Sequence, residues 1–368
     1  MDLKKFIAII TILLFIIVIL QPFSISKILF YNEKSQECDK RIYHVDTIDG
    51  SSITLTRFLG LNRPSVIFIH GMSGSHQMFD WNKERSLARF LNNNGWDVWL
   101  LDLRTHDTDG DFLFDKDCND EYINRYWDFD NTLCKIDVVT AVDFIKDITN
   151  CEKVVLGGHS YGGYLAYAYT MLVGEENLAG IIATGSSPYA PPRELNPRKF
   201  KMIKYGFYIG KKAFVNPFGM PRTIHTRLGC MNTAKKWEPS ANSVFYYTTT
   251  PLDIQKELFL HLNDEAAGVW VDMFFGKNIE KYNGDWVDPQ TLYNYSDNLH
   301  KITVPILFIA GENDTQDPSL DIYRAYQNVS SIHKEFYSFK NHSHMDILLG
   351  DYSKDLIYPK IDTFLETL

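Results

Sequence analysis

The chain has 368 residues, of which 45% are hydrophobic and 23% charged, with a formal net charge of −9. That length holds one large domain with an insertion, or two domains, and that composition excludes a disordered chain. The acidic balance argues against nucleic acid as a partner, because no global positive field draws phosphate to the surface.

Met1 to Lys5 carries two lysines ahead of an apolar run from Phe6 to Leu20 that only Thr11 interrupts. Basic residues before such a run are the n-region and h-region of a secretory signal. The run alone reaches about 22 Å as a helix, short of the ~30 Å hydrocarbon core, and extending it to Phe30 gives a marginal span. Residues 1–30 therefore read as an uncleaved signal anchor, or as a peptide cleaved after Ser24-Ile25-Ser26. The anchor places the body of the protein outside the cytoplasm on the membrane, and cleavage makes it secreted. A buried helix of a cytosolic domain fits less well, since the run is apolar on every face.

Arg41 to Phe58 predicts a hairpin about Asp49-Gly50. Ser65 to Ile69 is a continuous apolar run of the kind buried on both faces of a parallel sheet, and it ends in His70-Gly71. A helix from Glu84 to Asn94 follows, then a strand from Asp97 to Asp102. His106 to Tyr122 is crowded with aspartates; Gly110 falls too early for an EF-hand, and a solvated acidic loop is the better reading. Asn131 to Thr149 has a helical apolar face. Val154-Val155-Leu156 then runs into Gly157-Gly158-His159-Ser160-Tyr161-Gly162-Gly163, with a helix expected from Tyr161 to Val173 and a strand from Leu178 to Thr184. Strands alternating with helices predict a doubly wound, mostly parallel sheet with helices on both faces.

From Ser186 to about Asn298 the alternation stops, in a stretch rich in proline and aromatic residues that reads as an inserted, mainly helical cap. It resumes with Val304 to Ala310 as a strand, Asp321 to Gln327 as a helix, Ile332 to Phe339 as a strand and Lys354 to Leu368 as a helix. The expected organisation is a core of residues 40–185 and 299–368, interrupted by a cap over 186–298. The five cysteines contain no Cys-x-x-Cys pair, so a zinc site is not expected, and the serine chemistry read below implies no metal or organic cofactor. In an oxidising compartment one or two disulfides would leave at least one thiol over.

Gly-x-Ser-x-Gly between a buried strand and a helix is the nucleophile-elbow signature. A serine hydroxyl needs a base, and the base needs an orienting acid. In such sheets both follow the carboxyl ends of later strands, in the order Ser, Asp or Glu, His. Asp314 after Val304 to Ala310 is the expected acid, with Asp317 and Glu312 as fallbacks. His344 is the expected base over His342, because His-x-Asp opening an apolar helix is the usual form; the other histidine reads as a surface residue. The backbone N–H groups of Tyr161 and, after His70-Gly71, of Met72 are the expected oxyanion donors.

With Gly95-Trp96-Asp97-Val98-Trp99-Leu100, Tyr126-Trp127-Asp128-Phe129 leading to Asp137, Gly158-His159-Ser160 and Asn341 to Asp346, the chain resembles the α/β-hydrolase superfamily. Within it, the chain is similar to the acid lipases (gastric and lysosomal lipases and cholesteryl ester hydrolases), from about Arg41 to the C-terminus. Tyr161 departs from that branch's usual Gln, and Ser343-His344 replaces a simpler Asn-His-Leu-Asp. The resemblance implies an α/β-hydrolase fold and a lipase- or esterase-like serine hydrolase acting on hydrophobic acyl esters. An acyltransferase or amidase with the same residues, or an inactive binding module, are the alternatives. Arg198 to Lys212 mixes cations with large apolar groups, so the cap is a second candidate membrane contact beside the N-terminal segment.

Overall fold

A computed structural model describes residues 40–60, 64–104, 106, 129–189, 223–224, 249–260, 265–266, 284–288 and 291–368. The N-terminal apolar run, the acidic loop beyond His106 and the basic stretch Arg198 to Lys212 lie outside these residues. Among the described residues no helix is long and apolar enough to cross a membrane.

The strands of the main sheet are β1 (Lys40–Asp46), β2 (Ser52–Phe58), β3 (Ser65–Ile69), β4 (Asp97–Asp102), β5 (Val154–His159), β6 (Leu178–Thr184), β7 (Ile306–Gly311) and β8 (Lys334–Phe339). They form one sheet in the order β1-β2-β4-β3-β5-β6-β7-β8. Pairing is antiparallel from β1 through β2 to β4 and parallel everywhere else. The helices are α1 (Leu87–Asn93), α2 (Val139–Thr149), α3 (Tyr161–Leu172), α4 (Leu252–Leu260), α5 (Ser319–Asn328), α6 (Asp346–Leu349), α7 (Ser353–Leu356) and α8 (Tyr358–Leu365).

β3, β4, β5 and β7 are buried at every position because both faces are covered. Alternate residues serve opposite layers. Ile67, Ile69, Trp99, Leu101, Phe308 and Ala310 pack in the layer that holds α2, α3 and α5. Val66, Phe68, Val98, Leu100, Leu307 and Ile309 pack in the layer that holds α1 and the C-terminal helices.

Several expected boundaries move. The first helix begins at Leu87, not Glu84, because Ser86 caps it by accepting from the Arg89 N–H at 2.9 Å. The last helix is split into α7 and α8 around Ile357, where Pro359 opens the second segment without an N–H to continue the first. Ile332 is fully exposed and the last strand starts at Lys334. Phe129–Val138 winds as a π-helix before α2, where regular α-helix is expected.

The β1–β2 hairpin turns at Gly50, whose φ of 82° suits a residue without Cβ. Asp49 is fixed there by Thr47 Oγ1 at 2.6 Å and by the buried Arg104 guanidinium at 2.8 and 3.1 Å. The other side of Arg104 donates to Asp137, from Nη2 at 2.6 Å and from Nε at 2.9 Å. One guanidinium thus joins the hairpin, the loop after β4 and the π-helix. Arg104→Met is expected to lower the unfolding free energy by about 3–5 kcal/mol, because it strands buried carboxylates. Urea unfolding measures this, and a loss under about 1 kcal/mol would show the cluster to be no stronger than a surface ion pair.

Candidate active site

β4 lies on one side of β3 and β5 on the other, so the crossovers leave in opposite directions and open a crevice at the carboxyl ends of β3 and β5. Both sequence motifs end there. A Cβ built on Gly71 would lie 3.4 Å from the Ser160 Cβ, so the loop after β3 and the turn after β5 meet at the serine. Met72 is the next residue along that loop, partly buried against the core, and Tyr161 is the first residue of α3.

Ser160 has φ 52° and ψ −118°, a conformation that side chains rarely adopt. The turn that forces it needs glycine on either side. A Cβ on Gly158 would approach the Gly162 backbone to 2.2 Å, and one on Gly162 would approach the Ile69 carbonyl oxygen to 2.0 Å. Hydrogen bonds then hold the strained residue in place. Its N–H donates to the Thr184 carbonyl at 2.9 Å, and its own carbonyl accepts from Ser186 Oγ at 2.8 Å and from Gly163 N–H at 3.0 Å. Ser160 keeps partial exposure at the head of α3, where helix N–H groups and the helix dipole favour negative charge.

His344 and Asp314 are both buried, and the imidazole donates from Nδ1 to Asp314 Oδ2 at 2.7 Å. The other carboxylate oxygen of Asp314 accepts backbone N–H groups from Gln316 at 2.9 Å and Asp317 at 3.0 Å. Glu312, a fallback acid, is exposed, and its N–H donates to the Phe339 carbonyl. Asp317, the other fallback, is buried but accepts from the Tyr164 hydroxyl and the Ser187 N–H. His342 corrects its expectation as a surface residue. It is buried, its Nδ1 donates to the Lys340 carbonyl at 2.8 Å, and its own carbonyl accepts from Asn313. The two histidines are equally buried and differ in partner, a backbone carbonyl for His342 and the Asp314 carboxylate for His344.

The His344 loop is tied down by Asp346, which is fully buried. One of its oxygens accepts from Ser343 N–H and Oγ at 2.9 and 2.6 Å, and the other from Thr250 N–H and Oγ1 at 2.9 and 2.7 Å. The aspartate of the His-x-Asp pattern therefore shapes the loop and leaves the imidazole to Asp314.

Other contributors carry no motif. Asp102, at the carboxyl end of β4, accepts from both the N–H and Nδ1 of His76, each at 2.6 Å, and so anchors the loop after β3. A buried acid closing an apolar strand was the available signal. His70 donates from Nδ1 to the Gly71 carbonyl at 2.7 Å and accepts the Leu103 N–H at Nε2 at 3.2 Å, which makes it neutral.

His159 lies against His344. Its ring centroid is 4.7 Å from that of His344, its Nδ1 is 3.2 Å from Thr184 Oγ1, and its Nε2 is buried without a hydrogen-bond partner. Burial first, and then the nearby His344, hold its pKa well below the ordinary histidine value. The unfolded chain therefore binds a proton here that the folded chain refuses. Folding stability is complete above about pH 6.5 and falls as the pH drops, by up to about 1.4 kcal/mol per unit from this residue. Urea unfolding at several pH values checks this: His159→Phe is expected to show a shallower decline, and an unchanged slope would contradict it.

The aromatic residues packed beside α3 include a stacked pair, Trp286 and Tyr295, with centroids 4.1 Å apart. Phe129 meets Tyr161, Trp286 and Tyr295 edge-on. Cys134 and Cys151 are free thiols, and burial pushes the Cys134 thiol up. Cys38, Cys118 and Cys230 lie outside the described residues. Among the described residues no group of His, Cys, Asp or Glu side chains is disposed to hold a metal ion.

A family model described as alpha/beta hydrolase fold matches residues 64–351. A probable lipase of Schizosaccharomyces pombe is 23% identical over 331 residues, which cover 81% of this chain and 67% of that protein. Lipase 3 of Drosophila melanogaster is 22% identical over 349 residues, covering 82% of this chain and 81% of its own. Among solved structures, an esterase from Exiguobacterium antarcticum aligns over 88% of this chain and 98% of its own with a TM-score of 0.57 at 14% identity, a likeness of fold alone.

Proposed function

This chain belongs to the alpha/beta hydrolase fold family, and from that premise we propose that it is a serine carboxylic-ester hydrolase of the lipase and esterase type, acting on hydrophobic acyl esters. Ser160 is the proposed nucleophile, His344 the general base and Asp314 the acid that orients it. The observations that carry the reading are the buried His344–Asp314 hydrogen bond, the packing of the His344 ring on His159, and the strained Ser160 that follows His159 at a helix N-terminus.

His344 Nε2 takes the proton of the Ser160 hydroxyl as its oxygen attacks the ester carbonyl. Asp314 keeps the imidazole proton on Nδ1 and steadies the positive charge that develops. The N–H groups of Met72 and Tyr161 are the proposed donors to the oxyanion. Collapse expels the alcohol, which takes the proton from His344, and leaves an acyl-enzyme. Water, activated by the same base, then frees the acid and the serine. No step calls for a metal or an organic cofactor.

The lipase-named relatives support ester substrates of some length. A p-nitrophenyl ester series from acetate to palmitate tests this on the purified chain. Rates rising with acyl length support a lipase-like enzyme, a preference for acetate argues for a short-chain esterase, and no turnover of any ester contradicts the proposal. Adding an alcohol separates hydrolysis from acyl transfer by the product formed.

The Phe6 to Leu20 run supports a membrane-anchored, extracytoplasmic placement, or secretion if the segment is cleaved. Retention in the membrane pellet after carbonate extraction is expected for the anchor. Recovery of full-length protein in the supernatant would contradict it.

A further inference from the structure

Asp317 was a fallback for the acid, and its environment gives it a different task. We propose that Tyr164 and Asp317 form a positioning pair through which the nucleophile-bearing helix α3 sets Asp314 against His344. The inference rests on the reading of Ser160, Asp314 and His344 given above and deepens it.

The connections run through three separate parts of the fold. Tyr164 lies one turn into α3, and its N–H donates to the Ser160 carbonyl at 3.2 Å. Its hydroxyl donates to Asp317 Oδ1, which also accepts the Ser187 N–H at 3.0 Å from the loop after β6. The Asp317 N–H donates in turn to Asp314 Oδ1 at 3.0 Å, and Asp314 Oδ2 accepts from His344 at 2.7 Å. Tyr164 and Asp317 are both buried, and the Tyr164 ring is packed against Trp286 at 5.2 Å between centroids. The loop after β7 therefore cannot turn without breaking a bond to the helix that carries the nucleophile.

The pair also contributes charge. The groups facing His344 are Asp314 from the loop after β7 and His159 from the end of β5. Asp317 is faced by Tyr164 and Tyr167 of α3, and burial and then the Asp317 charge hold the Tyr167 hydroxyl well above its ordinary pKa. A second carboxylate behind Asp314 favours the imidazolium that His344 becomes as it takes the serine proton. Removing that charge lowers the affinity of His344 for its proton, so the acid limb of kcat/KM moves to lower pH.

The full chain serves for the test, as wild type, Tyr164→Phe, Asp317→Asn and the double variant. Each single change keeps side-chain volume. Labelling of Ser160 by a fluorophosphonate is read alongside kcat, KM and the pH profile on p-nitrophenyl butyrate. Tyr164→Phe is expected to lower kcat about tenfold with KM within about twofold, as a small misplacement of a catalytic group does. Asp317→Asn is expected to lower kcat and shift the acid limb downward, and the double variant to be little worse than the poorer single one. A wild type that labels, with variants whose kcat and acid limb are unchanged, overturns the pairing alone. A fall in kcat with an unmoved limb and additive effects reduces it to a structural contact and also overturns it. A wild type that does not label overturns the reading of Ser160 and the pairing together. If one variant fails to fold, the kcat and limb of the other decide.

Discussion

Replacing Ser160 by glycine is expected to lower ester hydrolysis by about 10^6-fold, since members of a nucleophile–base–acid set act as one unit. The same change is expected to raise the unfolding free energy, by up to about 1 kcal/mol. The two outcomes share one cause. A serine at φ 52° and ψ −118° stores strain that glycine does not feel. The hydrogen bonds that Ser186 Oγ and the Gly163 N–H donate to the residue-160 carbonyl, and the one its N–H donates to the Thr184 carbonyl, involve only the backbone of residue 160, so they survive the substitution. Activity on the ester series and urea unfolding measure the pair of effects. Lost activity with lost stability would mean that the turn does not hold the serine under strain, and retained activity would remove Ser160 from the chemistry.

Asp314→Asn is expected to lower kcat about 10^4-fold, or about 5.5 kcal/mol of transition-state stabilisation, with little change in KM. An amide offers Nδ2–H to His344 Nδ1 where the carboxylate accepts from it. That reverses the tautomer and puts the remaining imidazole proton on the nitrogen that should act as base. Geometry should change little, since Asp314 Oδ1 accepts only the backbone N–H groups of Gln316 and Asp317 among its described bonds, and an amide oxygen can take both. The contrast with Asp346→Asn is informative. Asp346 shapes the His344 loop through Ser343 and Thr250, so its loss should appear first in stability and only secondarily in kcat. If Asp314→Asn retains more than about a tenth of wild-type kcat, the acid that orients the base lies elsewhere.

The readable parts of the molecule were those with a local signature. The central strands announced themselves as unbroken apolar runs, because a strand covered on both faces has no polar side to show. Ser160 was marked by the glycines that its turn sterically requires. Asp314 and His344 followed strand ends, where this sheet topology brings loops together. Long-range pairing left no comparable mark. Arg104 with Asp49 and Asp137, Asp102 with His76, and Tyr164 with Asp317 join residues 26 to 153 positions apart. None of them alters the hydrophobic period of its own segment. The π-helical turns of Phe129–Val138 were hidden for a related reason, since the apolar face of that segment continues into α2 and the wider pitch has no spacing of its own. His342 and His344 were separable by motif but not by burial, because both are buried to the same extent.

Asp97 shows the same limit on a smaller scale. It opens β4 and is buried, accepting from Arg57 at 2.7 Å, Ser65 Oγ at 2.8 Å and Trp99 Nε1 at 2.7 Å. Paired in this way, a carboxylate can sit inside the sheet. Its partners lie on three strands, and only the folded sheet assembles them.

The most direct test of the central claim is to treat the full chain with a fluorophosphonate and locate the adduct by peptide mass spectrometry. One adduct on Ser160 is predicted, abolished by Ser160→Gly and strongly slowed by His344→Ala. A chain that stays unlabelled, or an adduct that persists after Ser160→Gly, would contradict the assignment of Ser160 as the nucleophile of an ester hydrolase.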